Sequence, residues 1–293
     1  MKFQNKLHMK NKKLIKAFAL LVSIVAVFVL SLPTILHKSG LHPEYIGPSV
    51  SLPGKRALVI TTSHAVLSKP GESSGKATGV FGSEMTHPYY TFLDGGMEVD
   101  IASIQGGEIP IDPESFFFIV KTPEDERYLN DPIAQAKVKN SIPIAEVDMD
   151  QYDIIFISGG WGAAYDLAQS LALATKIGAS YFSKKQPIIG GVCHGVLGLV
   201  NATDPEGNLL IAGRRMTGVT DKQIRELGIE FTPKHPEEEL RKAGVIFESK
   251  TAFLDFLATH VTVDDEQRFV TGQNQNSGLE TAHTMMSILS KRN

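Results

Sequence analysis

The sequence predicts a doubly wound α/β fold over residues 56–293, a mostly parallel sheet with helices on both faces, preceded by one N-terminal transmembrane helix. Three observations carry the prediction. Apolar runs of strand length alternate with longer runs of helical period, the pattern of parallel strands joined by crossover helices. Two of those runs end in glycine clusters, SGGWG (158–162) and GVCHG (191–195), at the strand ends where such sheets bind ligands. The run 17–36, AFALLVSIVAVFVLSLPTIL, carries no charge and is long enough to span a bilayer.

Taken in order, Lys2, Lys6, Lys10, Lys12, Lys13 and Lys16 precede the apolar run. A lysine excess on that side places residues 1–16 in the cytoplasm and everything after Lys38 on the extracytoplasmic side. The apolar core exceeds that of a signal peptide and no small-x-small site follows it, so 17–36 reads as a retained anchor; cleavage would make the protein secreted. Residues 37–55, rich in Gly, Pro and Ser without periodicity, read as a linker. The remaining 56–293 has no internal repeat and suits one domain.

Within that domain, strands are expected at 56–63 (RALVITTS), 98–104 (EVDIASI), 152–160 (YDIIFISGG) and 187–192 (PIIGGV). Helices are expected at 83–95, 124–139 and 163–184. The second opens with Thr122, Pro123 and Asp125: an N-cap, a first-turn proline and an acidic third residue. Beyond the cysteine, helices fit 194–202, 221–227 and Pro236–Ala243. THVTVDDEQRFVTGQ (259–273) reads as a hairpin turning at Asp264–Gln267, and a last helix begins at Ser277, with Glu280 completing a capping box, and runs to about Lys291.

With 29 Lys+Arg against 32 Asp+Glu and 42% hydrophobic residues, the chain suits a packed domain and calls for no nucleic-acid partner. Cys193 is its one cysteine, which excludes a disulfide within the chain and a Cys-rich zinc site. His64, His87, His235, His260 and His283 show no short-spaced ligand motif, so no metal is expected.

Gly191-Val192-Cys193-His194-Gly195 has the glycine spacing of a nucleophile elbow with cysteine in place of serine. Such a turn strains the central residue and exposes its side chain at a helix start, where the dipole and free N–H groups favour a thiolate. A small buried hydrophobe is the plainer role for a lone cysteine, and the glycine bracket argues against it here.

These residues also carry a family resemblance. PIIG before GVCHG, YDIIFISGGWG about thirty residues earlier, and GVFGSEMTHPYYTFLDGGMEVDIAS (79–103) together resemble the ThiJ/PfpI superfamily, in the larger branch similar to the cofactor-free glyoxalase III and chaperone-like proteins. MTGVT, EEELRKAGV and FVTGQN follow in the expected order, so the resemblance spans nearly all of 56–293. It implies a flavodoxin-like, class I glutamine amidotransferase-like sheet, no cofactor, and a small reactive aldehyde as substrate, with methylglyoxal converted to lactate. It implies that Cys193 is the nucleophile, that Glu84 contacts its sulfur and shuttles a proton, that His194 pairs with it, and that the Gly160 and His194 amides form an oxyanion hole. Trp161 and His87 are then placed in the substrate pocket. The third partner of the triad aligns near Ile224, flanked by Asp221 and Glu226, and Asp221 is preferred. A homodimer is allowed by the resemblance but by no sequence feature.

The chain departs from the family's active glyoxalases at Trp161, usually histidine, and Val196, usually proline; the nucleophile is intact and the expected pocket is altered. Glu84 beside a thiolate should have a raised pKa and donate to sulfur, whereas on a solvated first helical turn it would need no function. Tyr89, Tyr90 and Phe92 fit a pocket lining or a core helix face equally. Two other readings stand beside the glyoxalase. His235-Pro236-Glu237 matches a glutamine amidotransferase or cysteine hydrolase, although Pro236 also opens a helix. A stress holdase or thiol redox sensor would need the same reactive sulfur but no turnover.

Overall fold

The computed structural model describes residues 2–229 and 231–292, with side chains from residue 12 onward. The chain divides into two units at Ser39 and Gly40. The first is a single α-helix, Lys2–Lys38, with Pro33 inside it. By length and composition its Lys12–Lys38 stretch can cross a membrane, and that stretch is not buried in the protein. The helix runs past both ends of the predicted span because flanking lysines propagate it readily.

The second unit is built on a seven-stranded sheet. Its order is Val261–Val263, Phe269–Gly272, Ile188–Val192, Ile154–Ile157, Arg56–Thr61, Glu98–Ser103 and Ile142–Pro143. Only the edge strand Val261–Val263 runs antiparallel, through the expected hairpin; all other neighbours are parallel. Alternation along each strand divides the core in two. Leu58, Ile60, Ile155, Ile157 and Ile189 face the helix Leu171–Tyr181, while Ala57, Val59, Ile154, Phe156 and Ile188 face Gly82–Asp94 and Gly278–Ser290. Burial on both faces explains why these strands read as continuous apolar runs.

Several boundaries differ from expectation. The third expected strand stops at Ile157, because Ser158-Gly159-Gly160 turns away into a loop. The helix expected at 124–139 is two helices, Pro123–Leu129 and Pro132–Lys139. Pro132 has no N–H to continue the first, and the Asp131 carboxylate caps the second by accepting from Ile133 and Ala134 at 2.9 and 3.1 Å. The Thr122 capping box forms, with Asp125 N–H donating to Thr122 Oγ1 at 3.2 Å and Thr122 N–H to Asp125 Oδ2 at 3.0 Å. The helix expected at 163–184 likewise divides into Ala163–Asp166 and Leu171–Tyr181, the second capped by Ser170. The one at 194–202 is a 3₁₀ turn, Cys193–Leu199.

The capping box expected at Ser277 and Glu280 does not form. Gly278–Ser290 begins without a side-chain cap, and Ser277 Oγ instead accepts the His260 N–H at 3.2 Å. The stretch expected as a linker is partly taken into the fold: Leu41 and Leu52 are buried, and Asn276 accepts the His42 N–H at 2.8 Å while donating to the Gly40 carbonyl at 2.7 Å.

Candidate active site

Sheet register builds the site. Ile157 lies opposite Gly191 on adjacent parallel strands, so the segments that follow, Ser158–Trp161 and Cys193–His194, leave the sheet side by side. Glu84 arrives from the first turn of Gly82–Asp94, the first helix after the strand Arg56–Thr61. The Ser158 hydroxyl donates to the Glu84 carbonyl at 2.9 Å, and the Gly159 N–H donates to Glu84 Oε2 at 3.0 Å. The Cys193 thiol is close enough to this carboxyl for each to shift the other's titration. Glu84 is 1% exposed, which removes the solvated-turn reading.

The elbow has the backbone its glycines predict. Cys193 sits at φ 55°, in the left-handed region that L-residues avoid. A Cβ on Gly195 would stand 2.2 Å from the Ile157 carbonyl oxygen, so the turn closes against the neighbouring strand only with glycine there. Gly160, at φ +97°, approaches the Phe81 nitrogen so closely that a Cβ would stand 2.4 Å from it. Its N–H and that of His194 both favour the charged form of the Cys193 sulfur.

One expectation about the thiol is corrected. Cys193 is buried, 6% exposed, rather than displayed to solvent. Burial pushes its pKa well above the ordinary value, the Glu84 charge adds to this, and the two amides oppose it. A seven-residue 3₁₀ turn supplies too weak a dipole to reverse that order. Glu84 is raised as expected, to about 8, but the cause is burial rather than a neighbouring thiolate charge, and hydrogen bonding with Cys193 and Gly159 opposes it. The resting pair therefore holds its protons at neutral pH.

His194 Nδ1 lies 3.4 Å from the sulfur. Burial, with His235 adding to it, lowers His194 to about 3, so the ring is neutral in the working range. Its Nε2 is buried without a hydrogen-bond partner. The expected carboxylate pairs elsewhere: among the described residues no hydrogen bond or ion pair joins Asp221 to His194, and its Oδ1 lies 3.7 Å from His235 Nδ1. Glu226 accepts the Asp255 N–H at 2.7 Å, and Ile224, which aligns with the family's carboxylate, is buried in the core. Pro236 opens the helix Pro236–Lys242, and Glu237 accepts the Asp221 N–H at 3.0 Å.

Trp161 lines the cavity over Cys193, its ring 4.9 Å from that of His194. His87 does not reach the cavity. It is buried, its ring 5.9 Å from that of His42 and its Nε2 3.5 Å from Glu124, and His42 lines the cavity in its place. Tyr89, Tyr90 and Phe92 are core. Sequence reasoning missed His42, Phe117, Val120, Gln223, Phe256 and Gln275, all of which line the cavity. His42, Phe117 and Val120 come from irregular segments and the others from helical pieces of three to six residues, where no periodicity marks a facing side chain. The missed hydrogen-bond donor to Glu84, Gly159, was legible in the glycine pair after the third strand.

Known proteins share this arrangement of sheet and loops. Glyoxalase 3 of Candida albicans is 30% identical over 227 residues, covering 73% of this chain and 91% of that protein. The glutathione-independent glyoxalase HSP31 of Saccharomyces cerevisiae is 31% identical over 245 residues, covering 78% and 95%. The crystal structure of the Rapid Encystment Protein 24 kDa of Francisella tularensis superposes with a TM-score of 0.72 at 32% identity, over 80% of this chain and 99% of that one. The profile of the DJ-1/PfpI family matches residues 76–287, which include every catalytic candidate above, and the chain belongs to that family, in the branch of its glyoxalase III relatives.

Proposed function

We propose that this protein is a cysteine-dependent glyoxalase of the glyoxalase III type, which converts 2-oxoaldehydes such as methylglyoxal to 2-hydroxy acids such as lactate, its own thiol taking the place of glutathione. One observation carries the reading: a buried carboxyl raised to about 8 meets the chain's single thiol beneath two backbone N–H groups. The names of the relatives support the reaction class.

In the first step the Cys193 sulfur bonds to the aldehyde carbon and its proton passes to the aldehyde oxygen, giving a hemithioacetal. Ionised Glu84 then takes that carbon's hydrogen as a proton. The electron pair forms an enediolate, whose oxygen the Gly160 and His194 amides stabilise. Glu84 returns the proton to the neighbouring carbon, leaving a thioester of the 2-hydroxy acid, and water cleaves the C–S bond to release the acid and restore the thiol. The aldehyde carbon is oxidised as the ketone carbon is reduced, so no external oxidant enters. Neutral His194, lowered to about 3, is a poor proton carrier, which leaves the transfer to Glu84.

The test is lactate formation from methylglyoxal by the full chain in mild detergent, without added thiol, beside Cys193→Ala and Glu84→Gln. Turnover lost in both variants is expected; a wild type that, with its thiol reduced, converts neither methylglyoxal nor any longer 2-oxoaldehyde overturns the reading and favours a hydrolase or holdase. We also read the apolar helix as a retained anchor, with residues 1–16 cytoplasmic and the catalytic unit extracytoplasmic. Protease digestion of intact cells should remove that unit, and release of the protein by a carbonate wash would contradict the anchor.

A further inference from the structure

The cavity over Cys193 has a volume of about 590 Å³, within the range of about 300–1,000 Å³ that encloses drug-sized ligands. Methylglyoxal has five heavy atoms. Even at a water's share of about 30 Å³ each, it fills roughly a quarter of that space. The reactive groups, Cys193, Glu84, His194 and the Gly160 amide, form one polar patch of the lining. Most of the rest is apolar, built from Phe81, Phe117, Val120, Val219, Leu227 and Phe256.

Of the polar residues elsewhere on the wall, His42, Gln223, Gln275 and Glu114, the two glutamines are already engaged and Glu114 has the wrong charge for an anion. Gln223 Nε2 donates to Gln275 Oε1 at 3.3 Å, Gln275 Nε2 donates to the Phe256 carbonyl at 3.0 Å, and Gln223 Oε1 accepts from Asn274 at 3.1 Å. Among the described residues no lysine or arginine lines the cavity, while Glu114 does. A substrate carrying a carboxylate or phosphate would find no lysine or arginine to pair with, and a polyhydroxylated one few partners. Phe117 and Leu227 line the cavity although 56% and 45% exposed, an apolar surface that an apolar ligand would cover.

We propose that the preferred substrate is a neutral 2-oxoaldehyde with a bulky apolar chain, of about six to ten carbons, and that methylglyoxal is a poor fit to this site. The proposal rests on the glyoxalase reading and extends it to the substrate class. The reacting head occupies the Cys193 end, and the chain lies along the aromatic and aliphatic wall. Chain burial is equal in ground and transition states, so the gain appears in KM more than in kcat.

The test is a homologous series, methylglyoxal, 2-oxohexanal and 2-oxooctanal, in which the reacting group is constant, assayed with the full chain in mild detergent. At roughly fourfold per buried methylene, kcat/KM should rise at least about 100-fold from the first to the last, carried by KM. Phe117→Ser and Leu227→Ser, at half-exposed positions, should flatten that rise, with melting temperatures reporting that both fold. Turnover of methylglyoxal with a flat series in wild type overturns this proposal alone. No turnover of any member removes the glyoxalase reading and this proposal with it.

Discussion

Glu84→Gln should cost the protein its activity and strengthen its fold, and the size of the second effect follows from burial. In the unfolded chain this carboxyl ionises near its ordinary 4.5, whereas the folded chain holds the proton up to about 8. Because the folded-state value is the raised one, the wild type is most stable below 4.5 and loses stability as pH climbs to 8. Each pH unit in that window removes about 1.4 kcal/mol, so the loss is about 3 kcal/mol at pH 7 and about 5 kcal/mol above pH 8. Glutamine has no such titration, and its amide can still accept the Gly159 N–H and face the sulfur. The Cys193 thiol is raised well above its own ordinary value of 9.0, so it titrates outside this window. Urea unfolding, followed by fluorescence of Trp161, the single tryptophan, reads the difference at pH 5, 6, 7 and 8. The variant's midpoint should exceed the wild type's by about 1 M urea at pH 7, with the gap closing toward pH 4.5. Parallel pH profiles for the two proteins would refute the argument, since they would mean that Glu84 is ionised in the fold at neutral pH.

Other consequences are open to equally direct measurement. The kcat/KM for 2-oxoaldehydes should rise about tenfold per pH unit from 6 and level off above about 8, as the Glu84 base form fills; a profile flat across that range would assign the base elsewhere. Cys193→Gly and Cys193→Ala should both be inactive, but the glycine variant should melt higher, by about 1 kcal/mol in stability, because alanine retains the strain at φ 55°. Gly160→Ala should destabilise by at least about 2 kcal/mol, because its Cβ meets backbone at Phe81 and Gly79, and calorimetry measures this. Asp221→Asn, at a carboxylate that faces His235, should change kcat/KM less than about threefold, against losses of 10²-fold or more for Glu84→Gln; a comparable loss would place Asp221 in the machinery.

The sequence by itself determined the sheet and the elbow turn around Cys193. Strands buried on both faces must be continuously apolar, and a strained turn against a neighbouring strand must have glycines around it; both requirements are local, so both can be read along the chain. Helix boundaries were less legible, since Pro132 and Ser170 end and restart helices that periodicity alone runs together. Tertiary structure decided what the site residues are chemically. Glu84 in the first turn of a helix is an ordinary solvated acid until the Gly159 amide and the Cys193 sulfur close over it, and an elbow cysteine is a thiolate until burial and that acid hold its proton. Asp221 and His87, each plausible from position, fell outside the cavity, while His42 and Phe117 entered it from segments without pattern. Protonation and pocket shape depend on which groups meet across many residues of intervening chain, and that proximity is a property of packing rather than of sequence order.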